Sequence, residues 1–208
     1  MKETGEKGIR AFLFFLALRG EAVREEVRSR FPVLVPALKA LGEDLEVQGE
    51  TFRLRRPLSL SWFAPLFAEM DSPLLPERPL ALERLFEAAV RDGLAGVLPG
   101  EEVWESPSLP VRAAAHLALA ARAYQEGEAR TALQLLGKAL GLLEGAGIPF
   151  PGVVLGLLAL VQEAQRPGGR GRKTAQKALE RALTPFGVEL AQRALQHPLE
   201  GGQGSLNR

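Results

Sequence analysis

The stretch that decides the fold is residues 45–54, LEVQGETFRL. Apolar and polar residues alternate on both sides of Gly49 and Glu50, which is the pattern of two half-buried strands. Gly at the first position of a two-residue loop favours a type II′ turn, because that turn matches the twist of the flanking strands. The loop fixes four cross-strand pairs, two apolar and two of opposite charge: Val47 with Phe52, Leu45 with Leu54, Glu46 with Arg53, and Asp44 with Arg55.

Three helical patterns precede this hairpin. Residues 8–18 are almost continuously apolar, and residues 21–31 carry an apolar residue at every fourth position. Pro32 can open a third helix that ends at Gly42. Three helices followed by a hairpin form the outline of a winged helix-turn-helix, a fold used mostly to bind DNA. The sequence therefore predicts a mostly α protein with a winged-helix domain over residues 8–57, in which the hairpin is the only substantial β structure.

The rest of the chain is predicted to be helical. Five helices are expected, over residues 58–69 with Ser61 as N-cap, 80–92, 112–125, 128–143 and 153–165, and a sixth pattern over 174–195 is kinked or split by Pro185. Small residues on both sides of Gly127 fit a tetratricopeptide-like helical hairpin, with Ala120 and Ala132 in its seam. We assign residues 58–198 to this helical domain and 199–208 to a flexible tail.

These pieces, in this order, resemble a known family. Residues 8–18 (GIRAFLFFLAL), 23–27 (VREEV), 37–42 (ALKALG) and 52–54 (FRL) are similar to the winged helix of SARP-type bacterial transcriptional activators. The segments SWF at 61–63 and GVLPG at 96–100, followed by Trp104, resemble landmarks of that family's bacterial transcriptional activation domain. The resemblance covers residues 8–145. It implies double-stranded DNA as one partner and the transcription machinery or a regulatory protein as another.

The third helix departs from that family's pattern. Sequence readout in the major groove needs side chains such as Arg for guanine or Asn for adenine. Residues 32–41 offer Lys39 alone, so contacts to DNA are expected to be mainly with phosphates. The candidate donors are Arg24, Arg28, Arg30, Lys39, Arg53, Arg55 and Arg56. In the alternative interpretation the arginines of the hairpin, which is the wing of such a fold, only pair with acidic residues on the opposite strand. The protein is then an adaptor whose winged helix has lost DNA recognition.

A second basic cluster lies near the C-terminal end. It consists of Arg166, Arg170, Arg172, Lys173 and Lys177. The surrounding segment 168–174, GGRGRKT, is superficially similar to a phosphate-binding P-loop. It lacks the Gly immediately before the Lys and follows a helical pattern rather than a strand, which argues against nucleotide binding. Two interpretations stay open: a basic surface that contacts nucleic acid or an acidic partner, and a solvated loop.

The composition gives little material for catalysis or metal binding. The chain has no Cys and two His, His116 and His197, in separate helical segments, and its net charge is +1. We expect no enzyme activity, no catalytic or metal-binding residues and no cofactor, with His116 as a packing residue. The apolar run 11–18 is too short to span a bilayer, so we expect a cytoplasmic protein. Residues 153–161, apolar nearly all round, are either buried or a homo-oligomer face, with burial favoured.

Overall fold

The computed structural model describes residues 2–31, 45–55 and 58–196. Its elements in chain order are α1 (Lys2–Arg19), β1 (Glu21–Val23), α2 (Arg24–Arg30), β2 (Leu45–Gln48), β3 (Thr51–Leu54), α3 (Leu60–Met70), α4 (Arg78–Leu94), α5 (Glu101–Trp104), α6 (Leu109–Gln125), α7 (Ala129–Gly145), α8 (Gly152–Gln165), α9 (Gly171–Arg181) and α10 (Pro185–Gln196). The predicted fold class is confirmed, since these residues are mostly helical and carry one small antiparallel sheet.

The hairpin has the register that the sequence predicts. Strands β2 and β3 pair antiparallel, with Leu45 opposite Leu54, Glu46 opposite Arg53 and Val47 opposite Phe52. In the turn, Gly49 has a φ of 60°, and no non-glycine residue of the described chain has a positive φ. Only the first central position is therefore left-handed, as in a type II′ turn.

The sheet contains a third strand that the sequence did not predict. The expected helix over residues 21–31 is wrong at its start, because β1 occupies Glu21–Val23 and α2 begins only at Arg24. Strand β1 pairs antiparallel with β3, which sets Ala22 opposite Phe52 and gives the order β1-β3-β2. Pairing satisfies the backbone groups of the β3 edge and buries Ala22, and this tertiary gain overrides the local helical pattern.

Helix α1 serves two hydrophobic cores. Phe12 and Phe15 pack with the sheet and α2 in the N-terminal core. Phe14 belongs to the larger core and stacks on Phe63 of α3 at 5.7 Å between ring centroids. The predicted domain boundary after residue 57 stays a prediction, but one helix supplies side chains to the cores on both sides of it.

Helices α6 and α7 form a helical hairpin within the larger core. Ala120 and Ala132 are both fully buried, as predicted for its seam. Gly127 has a φ of 82°, and the N–H of Glu128 donates to the Ala123 carbonyl at 2.8 Å. This is a Schellman-type ending, which needs a left-handed residue and so favours Gly.

The last three helices complete this core. Within α8, Val153, Val154, Leu157 and Val161 are fully buried, which confirms burial of residues 153–161. The predicted pattern over 174–195 forms two helices, and Pro185 is the first residue of α10. Pro suits that position because its missing N–H would have no intrahelical partner there.

The predicted starts of α1 and α3 need correction, and α6 and α9 each begin three residues earlier than predicted. Helix α1 begins at Lys2, six residues before the predicted start at residue 8. Helix α3 has Ser59 rather than Ser61 as its N-cap, and the Ser59 hydroxyl makes no capping hydrogen bond. Instead Asp92 of α4 accepts the N–H of Leu60 at 2.9 Å. The third helix over 32–41, its cap Gly42 and the tail 199–208 lie outside the described residues.

Candidate nucleic-acid interface

Helix α2 carries three of the predicted phosphate donors, and two of them have acidic neighbours. Arg24 lies 3.6 Å from a carboxylate oxygen of Glu50 in the hairpin turn. Arg30 lies 3.9 Å from Glu26 on its own helix, and its guanidinium group is also 4.8 Å from the centre of the Phe15 ring. Arg28 is exposed and has no salt bridge with another described residue.

The hairpin of β2 and β3 places Arg53 differently from the prediction. Glu46 and Arg53 are cross-strand neighbours, but Arg53 donates to Glu21 of β1, with Nε at 2.9 Å and a second guanidinium nitrogen at 2.7 Å from Oε2. Glu46 accepts from the Gln48 side chain instead, at 2.8 Å. The strand β1 causes this change, because it places Glu21 directly opposite Arg53. Arg55 is exposed.

Three predicted residues of this region cannot be placed. Lys39, Arg56 and Asp44, the expected partner of Arg55, lie outside the described residues. Arg24 and Arg53 lie on neighbouring elements of the region formed by α1, β1, α2 and the hairpin. Helix α2, which begins at Arg24, contacts the hairpin turn, and β3, which carries Arg53, pairs with β1. The N–H of Arg24 itself donates to the Glu50 carbonyl at 2.7 Å, which ties the start of α2 to the turn.

The ion pairs decide what this surface can do chemically. The side chains of Arg24, Arg30 and Arg53 are 40%, 47% and 52% exposed, so their pairs with glutamates are solvated. Exposed ion pairs contribute only about 0–1 kcal/mol, and a phosphate can replace the glutamate at low cost. The paired acids nevertheless reduce the local positive potential. A phosphate on this surface would therefore be held more weakly than by unneutralised arginines.

The second basic cluster lies on the α8–α9 loop and on α9. Arg166 and Arg170 are in the loop, whereas Arg172, Lys173 and Lys177 are on the helix, and all five are exposed. The segment preceding this loop is helix α8, which removes the strand that a P-loop requires. Arg172 donates to the Leu195 carbonyl of α10 at 3.4 Å. None of the five forms a salt bridge with a carboxylate of the described chain.

Sequence reasoning missed the buried carboxylates. Glu83 is fully buried, and its Oε1 accepts the N–H of Val153 at the start of α8 at 3.0 Å. Burial raises the pKa of Glu83 from 4.5 to about 7, although backbone N–H groups near the start of α8 partly oppose the shift. Glu163 is 2% exposed, and its Oε2 accepts the N–H of Gly168 at 2.9 Å. Glu83 accepts at the start of α8, Glu163 accepts in the α8–α9 loop, and both side chains are buried.

A row of charged side chains on α4 connects the end of α1 with α10. Arg84 donates through Nε to the Leu18 carbonyl at the end of α1, at 3.0 Å, and to Glu87 at 3.1 Å. Glu87 also accepts from Arg91 at 3.1 Å, and Arg91 lies 4.1 Å from the centre of the Phe186 ring in α10. Helix α4 therefore connects the N-terminal unit with the last helices through one polar network.

His116 lies where α5 meets α6. His116 packs edge-on against Trp104 with ring centroids 5.0 Å apart, as expected for a packing residue. Burial lowers the pKa of His116, and the positive charge of Lys138 lowers it further. Within the described parts of the chain, no three His, Cys, Asp or Glu side chains are grouped so that they could hold a metal ion.

Comparison with known proteins adds no assignment. No family model, no curated protein and no solved structure matches the chain. Among the described residues, no helix combines the length and apolar character needed to cross a membrane. The functional interpretation therefore rests on the residues and their geometry.

Proposed function

We propose that the protein is a cytoplasmic winged-helix transcriptional regulator that binds duplex DNA mainly through phosphate contacts and a protein partner through its helical domain. The observation that carries the proposal is the topology of the N-terminal unit. Helix α1, strand β1, helix α2 and the hairpin follow one another, and β1 pairs with the far edge of β3. The resemblance of the sequence to SARP-type activators independently points to the same type of domain.

Phosphate contacts suit the side chains that this unit offers. Arg28 and Arg55 are exposed, and the paired Arg24, Arg30 and Arg53 retain between 40% and 52% of their exposure. Guanidinium groups bind phosphates well and do so without regard to base sequence. Weak sequence selectivity and a strong dependence on salt are the expected consequences.

The adaptor function is the second candidate, and the ion pairs favour it. Glu21 on β1 and Glu50 in the hairpin turn place negative charge beside Arg53 and Arg24, where a DNA-binding surface would be expected to be positive. In an adaptor the winged helix would act as a rigid support, and the helical hairpins would bind protein. Removal of one of these carboxylates should strengthen DNA binding if the protein is a regulator, and should have no such effect if it is an adaptor.

The experiment that separates them is the substitution Glu21→Gln. If the wing contacts DNA, removing this carboxylate frees Arg53 for a phosphate and should raise the affinity for a random duplex about threefold to tenfold near 100 mM salt. Fluorescence anisotropy with a labelled 30-base-pair duplex measures the change. The matched control is Glu144→Gln, which removes the same charge from an exposed position at the end of α7.

Equal gains for Glu21→Gln and Glu144→Gln would mean that only net charge matters and that the wing does not contact DNA. Absence of binding by the parent protein and both variants at 50 mM salt would reject the proposal and leave the adaptor function. A circular dichroism melt of each variant checks that the sheet still forms.

A further inference from the structure

Helix α9 presents an unusually regular row of positive charge. Arg170 precedes the helix, and Lys173, Lys177 and Arg181 follow at intervals of three, four and four residues. This spacing keeps all four residues on one side of the helix. All four are exposed, while Ala175 and Ala178 on the opposite side are fully buried. We call Arg170, Lys173, Lys177 and Arg181 the cationic stripe.

The stripe is not neutralised by the described chain. Residues 166–181 contain six Arg and Lys side chains and one acidic side chain, Glu180. None of the four stripe residues forms a salt bridge with a described carboxylate. Arg181 donates only to the backbone carbonyl of Phe150, at 3.3 Å. This contrasts with the winged helix, where Arg24, Arg30 and Arg53 each have a glutamate neighbour.

The stripe is not needed to build its helix. Like charges four residues apart on a helix repel each other and destabilise it by a few tenths of a kcal/mol per pair, roughly. The carboxyl group of buried Glu163 already lies beside the start of α9, since a Cβ added to Gly171 would lie 2.6 Å from its Oε1. Packing of Ala175 and Ala178 holds the helix in place. The repulsion therefore destabilises the helix, and no contact of these side chains within the described chain offsets it.

The character of this face indicates the kind of partner. The exposed side chains of α9 are all polar or charged: Arg172, Lys173, Gln176, Lys177, Glu180 and Arg181. Protein interfaces depend on buried aromatic and apolar anchors, and this face exposes none. A phosphate backbone needs only positive charge at regular intervals. A helix of 11 residues is about 16 Å long, and duplex DNA carries one phosphate per roughly 1.7 Å of its axis.

We propose that the cationic stripe is a second, sequence-independent contact with the phosphate backbone of duplex DNA, separate from the winged helix. The choice of duplex DNA as the polyanion rests on the proposed function, whereas the surface itself does not. The stripe would add affinity without selectivity, because phosphates carry no base information. It would also compensate for Glu21 and Glu50, which weaken phosphate binding by Arg53 and Arg24.

The test is the double substitution K173Q/K177Q in the full chain. Gln keeps the helix propensity of Lys and removes only the charges. The salt dependence of binding to a random 30-base-pair duplex, measured by anisotropy, should become shallower by about two units in the slope of log K against log salt. The control R130Q/K138Q removes the same charge from two exposed positions of α7 and should change the slope by less than half a unit, roughly.

The outcomes separate this inference from the proposed function. A slope unchanged by K173Q/K177Q but altered by Glu21→Gln would overturn the inference and leave the winged helix as the DNA contact. The reverse result would support the stripe and reject the winged helix. Equal effects of K173Q/K177Q and R130Q/K138Q would show that only net charge acts. Binding to phosphatidylserine vesicles or polyglutamate that is stronger than binding to DNA at equal charge would assign the stripe to a membrane surface or an acidic protein, and would also overturn the inference.

Discussion

Replacing Glu83 with Gln should remove most of the pH dependence of the protein's stability between about pH 4.5 and pH 7. Glu83 is fully buried on α4, where its Oε1 accepts the N–H of Val153. Its Oε2 has no hydrogen-bond partner among the described residues. Burial of this carboxyl group raises its pKa from 4.5 to about 7, so the folded protein binds a proton that the unfolded chain releases at lower pH.

The sign and size of the effect follow from linkage. Because the pKa is higher in the folded state, the stabilising contribution is fully present below pH 4.5 and is lost as the pH rises through 7. A difference of about 2.5 units at 1.36 kcal/mol per unit corresponds to roughly 3 kcal/mol. Gln can still accept the N–H of Val153 through its amide oxygen but never ionises. The variant should therefore exceed the parent in stability at pH 8 by up to about 3 kcal/mol.

Urea denaturation at pH 5, 6, 7 and 8 measures the free energy of unfolding directly. The parent protein should lose stability across this range and Glu83→Gln should lose much less. Asp92, whose pKa is also raised by burial, contributes any remaining slope of the same sign. The control Glu144→Gln removes an exposed carboxylate and should follow the parent. If the free energy of unfolding changed with pH equally in the parent and in Glu83→Gln, the raised pKa would be wrong and Glu83 would be solvated in the folded protein.

Three further substitutions test the helical domain. Asp92→Ala should cost about 1 kcal/mol in urea denaturation, because Asp92 accepts the N–H of Leu60, whereas Ser59→Ala should be nearly neutral; equal costs would show that the serine caps α3 after all. Ala132→Leu should overpack the seam with Ala120 and cost about 1–3 kcal/mol, and an unchanged melting temperature would contradict the close approach of α6 and α7.

The hairpin could be predicted because all its determinants are local. The alternation on either side of Gly49 and the turn preference of that residue fixed the register in advance. The split between α9 and α10 was open to prediction for the same reason, since Pro185 itself interrupts the pattern. Local chemistry of this kind leaves few alternatives for the chain.

The parts that could not be predicted depend on distant partners. Strand β1 exists because β3 offers a free edge, and Arg53 pairs with Glu21, 32 residues away. Glu83 accepts from a helix start 70 residues later, and no local signal distinguishes it from a surface glutamate. The cationic stripe was visible as a cluster of charge, but its alignment required the observed start of α9 at Gly171, because the helical pattern predicted from residue 174 left Lys173 outside the helix.

The central claim is that the protein binds duplex DNA mainly through phosphates. The most direct measurement is the affinity of the parent protein for several unrelated 30-base-pair duplexes between 50 and 300 mM salt. Binding mainly through phosphates should give affinities that agree within about tenfold across the duplexes and a linear fall of log K with log salt, with a slope of several units. No binding at 50 mM salt, or an affinity for one duplex that exceeds the others by more than about a thousandfold, would contradict it.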